Sequence, residues 1–141
     1  MIARESLLIV DDVGLMRTLM EDVSKILNFR RVVTASSAIE ALQHLRESSF
    51  TLVISDLNMK PMNGLDLLHV IRSDPRLAGV KFIMATVNSE LRPALDARLS
   101  GADHYLLKPF KLTKLAETVD AVLGPQPNGY IQTMAPQGCG L

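Results

Sequence analysis

The sequence predicts an α/β fold: a parallel sheet with helices on both faces. Two observations carry the prediction. Five short runs rich in β-branched and aliphatic residues alternate strictly with five segments whose apolar residues recur at helical spacing. Short, continuously apolar runs read as strands buried on both faces, and strict alternation joins such strands by right-handed helical crossovers.

The first strand is Ser6-Leu7-Leu8-Ile9-Val10, which runs into Asp11-Asp12. Leu15, Leu19, Val23, Ile26 and Leu27 then set a helix over about 14–27. A short strand over 31–35 carries Val32 and Val33. Ser37 followed by Glu40 has the form of a capping box, opening a helix with Ile39, Ala41, Leu42 and Leu45 as its inner face. Thr51-Leu52-Val53-Ile54-Ser55-Asp56 is the third strand, and the chain then turns through Lys60-Pro61-Met62-Asn63-Gly64. Asn63 caps a helix carrying Leu65, Leu67, Leu68, Val70 and Ile71. Asp74-Pro75 stops it, because the residue before proline is pushed out of helical geometry. Residues 80–85 form the fourth strand, ending at Thr86, and residues 89–100 a helix with Pro93 in its first turn and Gly101 closing it. The fifth strand, His104 to Leu107, precedes Lys108-Pro109-Phe110. A last helix over about 112–123 turns Leu115, Val119 and Val122 inward and stops at Gly124-Pro125.

The chain of 141 residues is long enough for one domain, expected over residues 1–124, with 125–141 as a Pro-, Gly- and Gln-rich tail or linker. A hydrophobic content of 48% with 21% charged residues fits a soluble globular body, and the zero formal charge argues against nucleic acid or an anionic membrane as partner. No apolar run reaches transmembrane length, and Asp11 and Asp12 interrupt any leader-like stretch, so a cytoplasmic setting is expected. Cys139, the single cysteine, has no internal disulfide partner.

The polar residues at the strand ends carry the chemistry. In a parallel sheet all carboxyl ends share one edge, so Asp11, Asp12, Asp56, Thr86 and Lys108 converge on one crevice. Each alone has a plainer reading; Asp56 singly is a strand-ending or helix-capping carboxylate. Together they form a candidate site. Three carboxylates repel one another unless positive charge sits among them. Lys108 supplies one charge and a divalent cation the rest, Mg²⁺ being the ion suited to oxygen ligands and phosphate. His44, His69 and His104 are scattered, so no zinc set forms. A carboxylate beside Mg²⁺ suits phosphoryl transfer to Asp56, with Lys108 and the Thr86 hydroxyl neutralising and positioning the group.

On the motifs Leu8-Ile9-Val10-Asp11-Asp12, Ser55-Asp56-Leu57-Asn58-Met59, Met84-Ala85-Thr86 and Leu107-Lys108-Pro109-Phe110, the chain resembles the receiver domain of two-component response regulators, in particular the single-domain chemotaxis-type members. The resemblance covers residues 5–124. It implies a flavodoxin-like, (βα)5 sheet in the order 2-1-3-4-5, and Asp56 as phosphoacceptor for a histidine kinase in a phosphorelay. It further implies Mg²⁺ on Asp11, Asp12, Asp56 and the backbone carbonyl of Asn58, Lys108 paired with the acceptor, and Thr86 and Tyr105 as switch residues. Such a protein catalyses only its own phosphorylation and hydrolysis, and binds a downstream protein on the face formed by residues 89–123. An effector domain beyond the tail is compatible with this reading.

Four departures stand out. Lys60 precedes Pro61 where the family has proline directly, bringing a further cation near the site. Val87 stands where small residues are usual, and Asn58 and Asn88 are uncharged at positions that tune dephosphorylation. Glu90-Leu91-Arg92 lacks paired lysines, so binding to a flagellar motor is not carried over. Two alternatives remain at this stage. One is a degenerate receiver acting as an unphosphorylated binding module. The other is a Mg²⁺-dependent phosphatase of the haloacid-dehalogenase kind, which wants an Asp where Asn58 stands.

Overall fold

The computed structural model describes residues 4–125. Strands β1 (Ser6–Val10), β2 (Arg31–Ala35), β3 (Leu52–Asp56), β4 (Lys81–Thr86) and β5 (His104–Leu107) form one parallel sheet in the expected order 2-1-3-4-5. Helices α1 (Gly14–Ile26), α2 (Ala38–Glu47), α3 (Gly64–Ser73), α4 (Leu91–Leu99) and α5 (Leu112–Leu123) fill the connections. The expected tail lies outside the described residues from 126 onward, and Cys139 with it.

Alternation along each strand divides the core in two. Leu8, Val10, Val53, Phe82 and Met84 point to the side packed by α2 and α3, where Leu42, Leu45, Leu67, Leu68 and Ile71 meet them. Leu7, Ile9, Leu52, Ile54, Ile83 and Leu106 point to the other side, against Met20 and Leu27 after α1 and Leu115, Val119 and Leu123 of α5. Central strands buried on both faces explain why β1 reads as an uninterrupted apolar run.

The helices differ from the sequence expectation in which residues they bury. In α1 the buried positions are Met20 and Ser24, and Leu15 and Leu19 are exposed. In α2 the inner face is Ala38, Ala41, Leu42 and Leu45; Ile39, one step round the helix, is 51% exposed. The Ser37 hydroxyl accepts from the Glu40 amide at 3.0 Å, but the Glu40 carboxylate returns to the amide and hydroxyl of Ser36, both at 2.8 Å. The capping box is therefore displaced by one residue on its carboxylate side. In α5 the fully buried residue near the end is Leu123, with Val122 half-buried. Helix α4 begins at Leu91, later than expected, because the chain after Thr86 is spent on a loop bonded through Asn88.

Asn63 forms a full capping box on α3. Its side-chain oxygen accepts from the Asp66 amide at 2.8 Å, and the Asp66 carboxylate accepts from the Asn63 amide at 3.1 Å. Asn63→Ala is expected to lower stability by about 1 kcal/mol, read as a lower urea midpoint at unchanged slope.

Candidate functional site

The sheet register brings the polar strand ends together. Val10 of β1 lies beside Ser55 of β3, so Asp11 follows alongside Asp56; Asp56 pairs in register with Ala85, and Thr86 with Leu107. The order 2-1-3-4-5 places the topological switch between β1 and β3, and ligands of open α/β sheets bind outside the carboxyl ends at such a point.

Asp11 is 3% exposed and held on every side. Its amide donates to the Ala35 carbonyl at 3.1 Å, and its Oδ1 accepts from the Val13 amide at 3.0 Å. Lys108 Nζ donates to its Oδ2 at 2.6 Å, and Arg17 donates to its carbonyl at 2.8 Å. Asp12 beside it is exposed. Asp56 stands between, its side chain 13% exposed and its Oδ1 3.7 Å from Lys108 Nζ. One oxygen from each of the three carboxylates lies within 4.8 Å of the others. Hard oxygen donors at that separation, with one of them exposed, fit a divalent cation such as Mg²⁺, which keeps several waters in its shell.

Burial pushes the Asp56 carboxyl above its ordinary value. Lys108 opposes that shift, the neighbouring carboxylates of Asp11 and Asp12 add to it, and a hydrogen bond from the Leu57 backbone opposes it. Three carboxylates thus share this crevice with the ammonium of Lys108.

Thr86 is fully buried, and its hydroxyl oxygen accepts from the Asn88 amide at 3.2 Å. The Tyr105 hydroxyl donates to the Asn88 carbonyl at 3.0 Å. Burial, then Asp56 and Glu90, push the Tyr105 phenol up, so it stays a donor at neutral pH. Asn88 is therefore bracketed by the two residues expected to switch. Asn58 and Lys60 are exposed, and Val87 is 70% exposed. His44 lies 3.7 Å from Glu40, and His69 shares a 2.8 Å hydrogen bond with Ser100, both away from the crevice.

Two contributors to the site were not singled out in the sequence. Arg17, on α1, holds the Asp11 carbonyl; nothing in its local pattern marks it. Gly64 donates its amide to the Leu57 carbonyl at 2.8 Å, and a Cβ there would lie 2.2 Å from the Asp56 carbonyl oxygen. A glycine directly after an asparagine cap, where helix formers are preferred, was the legible sign of that close approach.

A model of the response regulator receiver domain matches residues 7–120. Chemotaxis protein CheY1 of Helicobacter pylori is 36% identical over 119 residues, covering 84% of this chain and 96% of that one. Chemotaxis protein CheY-3 of Vibrio cholerae is 33% identical over 116 residues, covering 82% and 89%. The solved structure of Vibrio cholerae chemotaxis protein CheY4 superposes with a TM-score of 0.80 at 27% identity, covering 86% of this chain and 100% of that one.

Proposed function

The chain belongs to the response regulator receiver domain family, and from that membership we propose that Asp56 accepts a phosphoryl group from the phosphohistidine of a histidine kinase. The observation that carries the proposal is the gathering of Asp11, Asp12 and Asp56 within 4.8 Å, with Lys108 inside the same crevice. An Asp56 carboxylate oxygen attacks phosphorus, the P–N bond to the donor imidazole breaks, and the electron pair leaves with that nitrogen, which takes its proton from solvent. Hydrolysis by water restores the carboxylate and releases inorganic phosphate.

Mg²⁺, held by Asp11, Asp12, Asp56 and the Asn58 carbonyl, supplies neutralisation of the phosphoryl oxygens when bound. Lys108 brings its ammonium from Asp11 toward the arriving group. The Thr86 hydroxyl turns from the Asn88 amide to a phosphoryl oxygen, and Tyr105 follows. Exposed Asn58, Lys60 and Val87, with half-buried Asn88, set water and donor access, and so the lifetime of the acyl phosphate. The output is a population shift of the face formed by residues 89–123. An apolar groove there, lined by Leu91, Ala94, Leu95, Arg98 and Tyr105, offers a place for a downstream protein. Among the described residues no helix is long and apolar enough to cross a membrane, and the site of action proposed is the cytoplasm.

The test is incubation with acetyl phosphate, with Mg²⁺ and with chelator, followed by mass spectrometry. One phosphoryl group per chain, Mg²⁺-dependent and mapped to the peptide holding Asp56, is the expected result. Absence of label on the folded chain would sink the proposal and favour the unphosphorylated binding module.

Replacing Lys108 by Met separates its two roles. Removing an ammonium 2.6 Å from Asp11 makes the crevice more negative, so calorimetry is expected to show tighter Mg²⁺ binding. Phosphoryl uptake from acetyl phosphate is expected to fall roughly 10²-fold all the same, because charge that develops on the transferring group loses its fixed partner.

A further inference from the structure

Helix α4 is held differently at its two ends. Of its residues only Ala97 is buried, while Leu91, Leu95 and Leu99 are 77%, 47% and 79% exposed. A packed apolar face, the usual anchor of a helix, is nearly missing. Its position rests on polar contacts at its ends.

At the end far from Asp56 the contacts are dense. Arg72, on the well-buried helix α3, sends Nε and Nη2 to the Gly101 carbonyl at 3.0 and 2.8 Å. Its Nη1 donates to the carbonyls of Ala78 and Val80, and its Nη2 also to Asp103 Oδ2 at 3.2 Å. Five hydrogen bonds use the full donor capacity of a guanidinium. Asp103 in turn accepts from the Phe82 amide at 2.8 Å, tying the cluster to β4. Gly101 has φ +105°, and a Cβ there would lie 2.9 Å from Arg72 Nε, so glycine is needed both for the turn and for the arginine. None of these groups touches Asp11, Asp56, Thr86 or Lys108.

The end near Asp56 is held by the switch residues themselves. Its N-cap, Glu90, makes no side-chain capping bond. The preceding loop hangs on Asn88, whose amide is bound by Thr86 and whose carbonyl is bound by Tyr105. Movement of Thr86 and Tyr105 releases this end and leaves the other untouched.

We propose that α4 is a lever hinged at Ser100–Gly101, with Arg72 as the positioning residue that fixes the hinge. Rearrangement at Asp56 swings the Leu91 end and leaves the Leu99 end in place. This rests on the reading above, in which phosphorylation rearranges Thr86 and Tyr105.

Leu91, Leu95 and Leu99, one turn apart, are natural probes for methyl NMR. With Mg²⁺ and beryllofluoride, methyl shift changes are expected to fall steadily from Leu91 to Leu99, with the Ala102 amide nearly unmoved. In Arg72→Met the gradient is expected to flatten, Leu99 and Ala102 shifting to within about twofold of Leu91, while beryllofluoride affinity stays within about twofold of the parent. Asp103→Asn, which keeps an acceptor and removes a charge, is expected to flatten it in part and serves if the Arg72 variant does not fold. A gradient that persists unchanged in the folded variants reflects distance from Asp56 alone and overturns the lever. Equal changes at Leu91 and Leu99 in the natural chain overturn it too. Failure of the natural chain to bind beryllofluoride overturns the phosphoacceptor reading and the lever with it.

Discussion

Asp56→Asn is expected to take up no phosphoryl group from any donor, and in chelator to be more stable than the parent at neutral pH. The first result follows from chemistry: an amide oxygen is too poor a nucleophile to form the acyl phosphate. The second follows from burial. The folded protein binds the Asp56 proton more tightly than the unfolded chain does, because the carboxyl is raised above its ordinary value of 3.8. Between that value and the raised one the folded state carries more protons, so stability falls as pH rises through the window. Above it, the ionised carboxylate costs its full amount, which asparagine avoids. Thermal melts in chelator should show the variant ahead at pH 7, with the gap closing as pH falls through that window toward 3.8. Saturating Mg²⁺ should reverse the trend by stabilising the parent, by about 2.7 kcal/mol at a hundred times the dissociation constant, and the variant much less. A variant equal to or less stable than the parent at pH 7 in chelator would remove the argument that the carboxylate cluster is strained.

Gly64→Ala is expected to damage both fold and site. The added Cβ meets the Asp56 carbonyl oxygen at 2.2 Å, the Asp56 carbonyl carbon at 3.1 Å and Met84 Sδ at 2.8 Å. The thioether can turn aside, but the backbone at the end of β3 is fixed by its pairing with β1 and β4. Relief must come from moving α3 away or shifting the strand end that carries Asp56. Overpacking of a close-packed interior costs typically about 1–3 kcal/mol, and the contact with backbone puts this substitution at the upper end. A displacement near 1 Å at a reacting group can cost about 10²-fold in rate, so phosphorylation by acetyl phosphate should slow by at least about tenfold in the folded fraction. Urea unfolding and initial phosphorylation rates check the two effects. A variant within about 0.5 kcal/mol of the parent would show that α3 yields without strain.

What was legible in the sequence is what neighbouring residues decide among themselves. The five strand runs, the Asn63 cap, the stop at Asp74-Pro75 and the close at Gly101 rest on periodicity and turn chemistry within a few residues. Once the strands are parallel, their polar ends must share an edge, so Asp11, Asp12, Asp56, Thr86 and Lys108 were readable as one crevice. Which helix positions face inward was less legible, because Ile39 and Leu19 are as apolar as the residues that are buried and only docking on the sheet separates them. The tertiary structure alone decided the contacts between residues far apart in the chain. Lys108 sits nearest to Asp11, with Asp56 second. Arg17 holds a carbonyl, Gly64 leaves room for the Asp56 backbone, and Arg72 reaches Gly101. Each depends on the register of the sheet and on how closely a helix settles against it. That is a property of the whole core, and no local stretch of sequence encodes it.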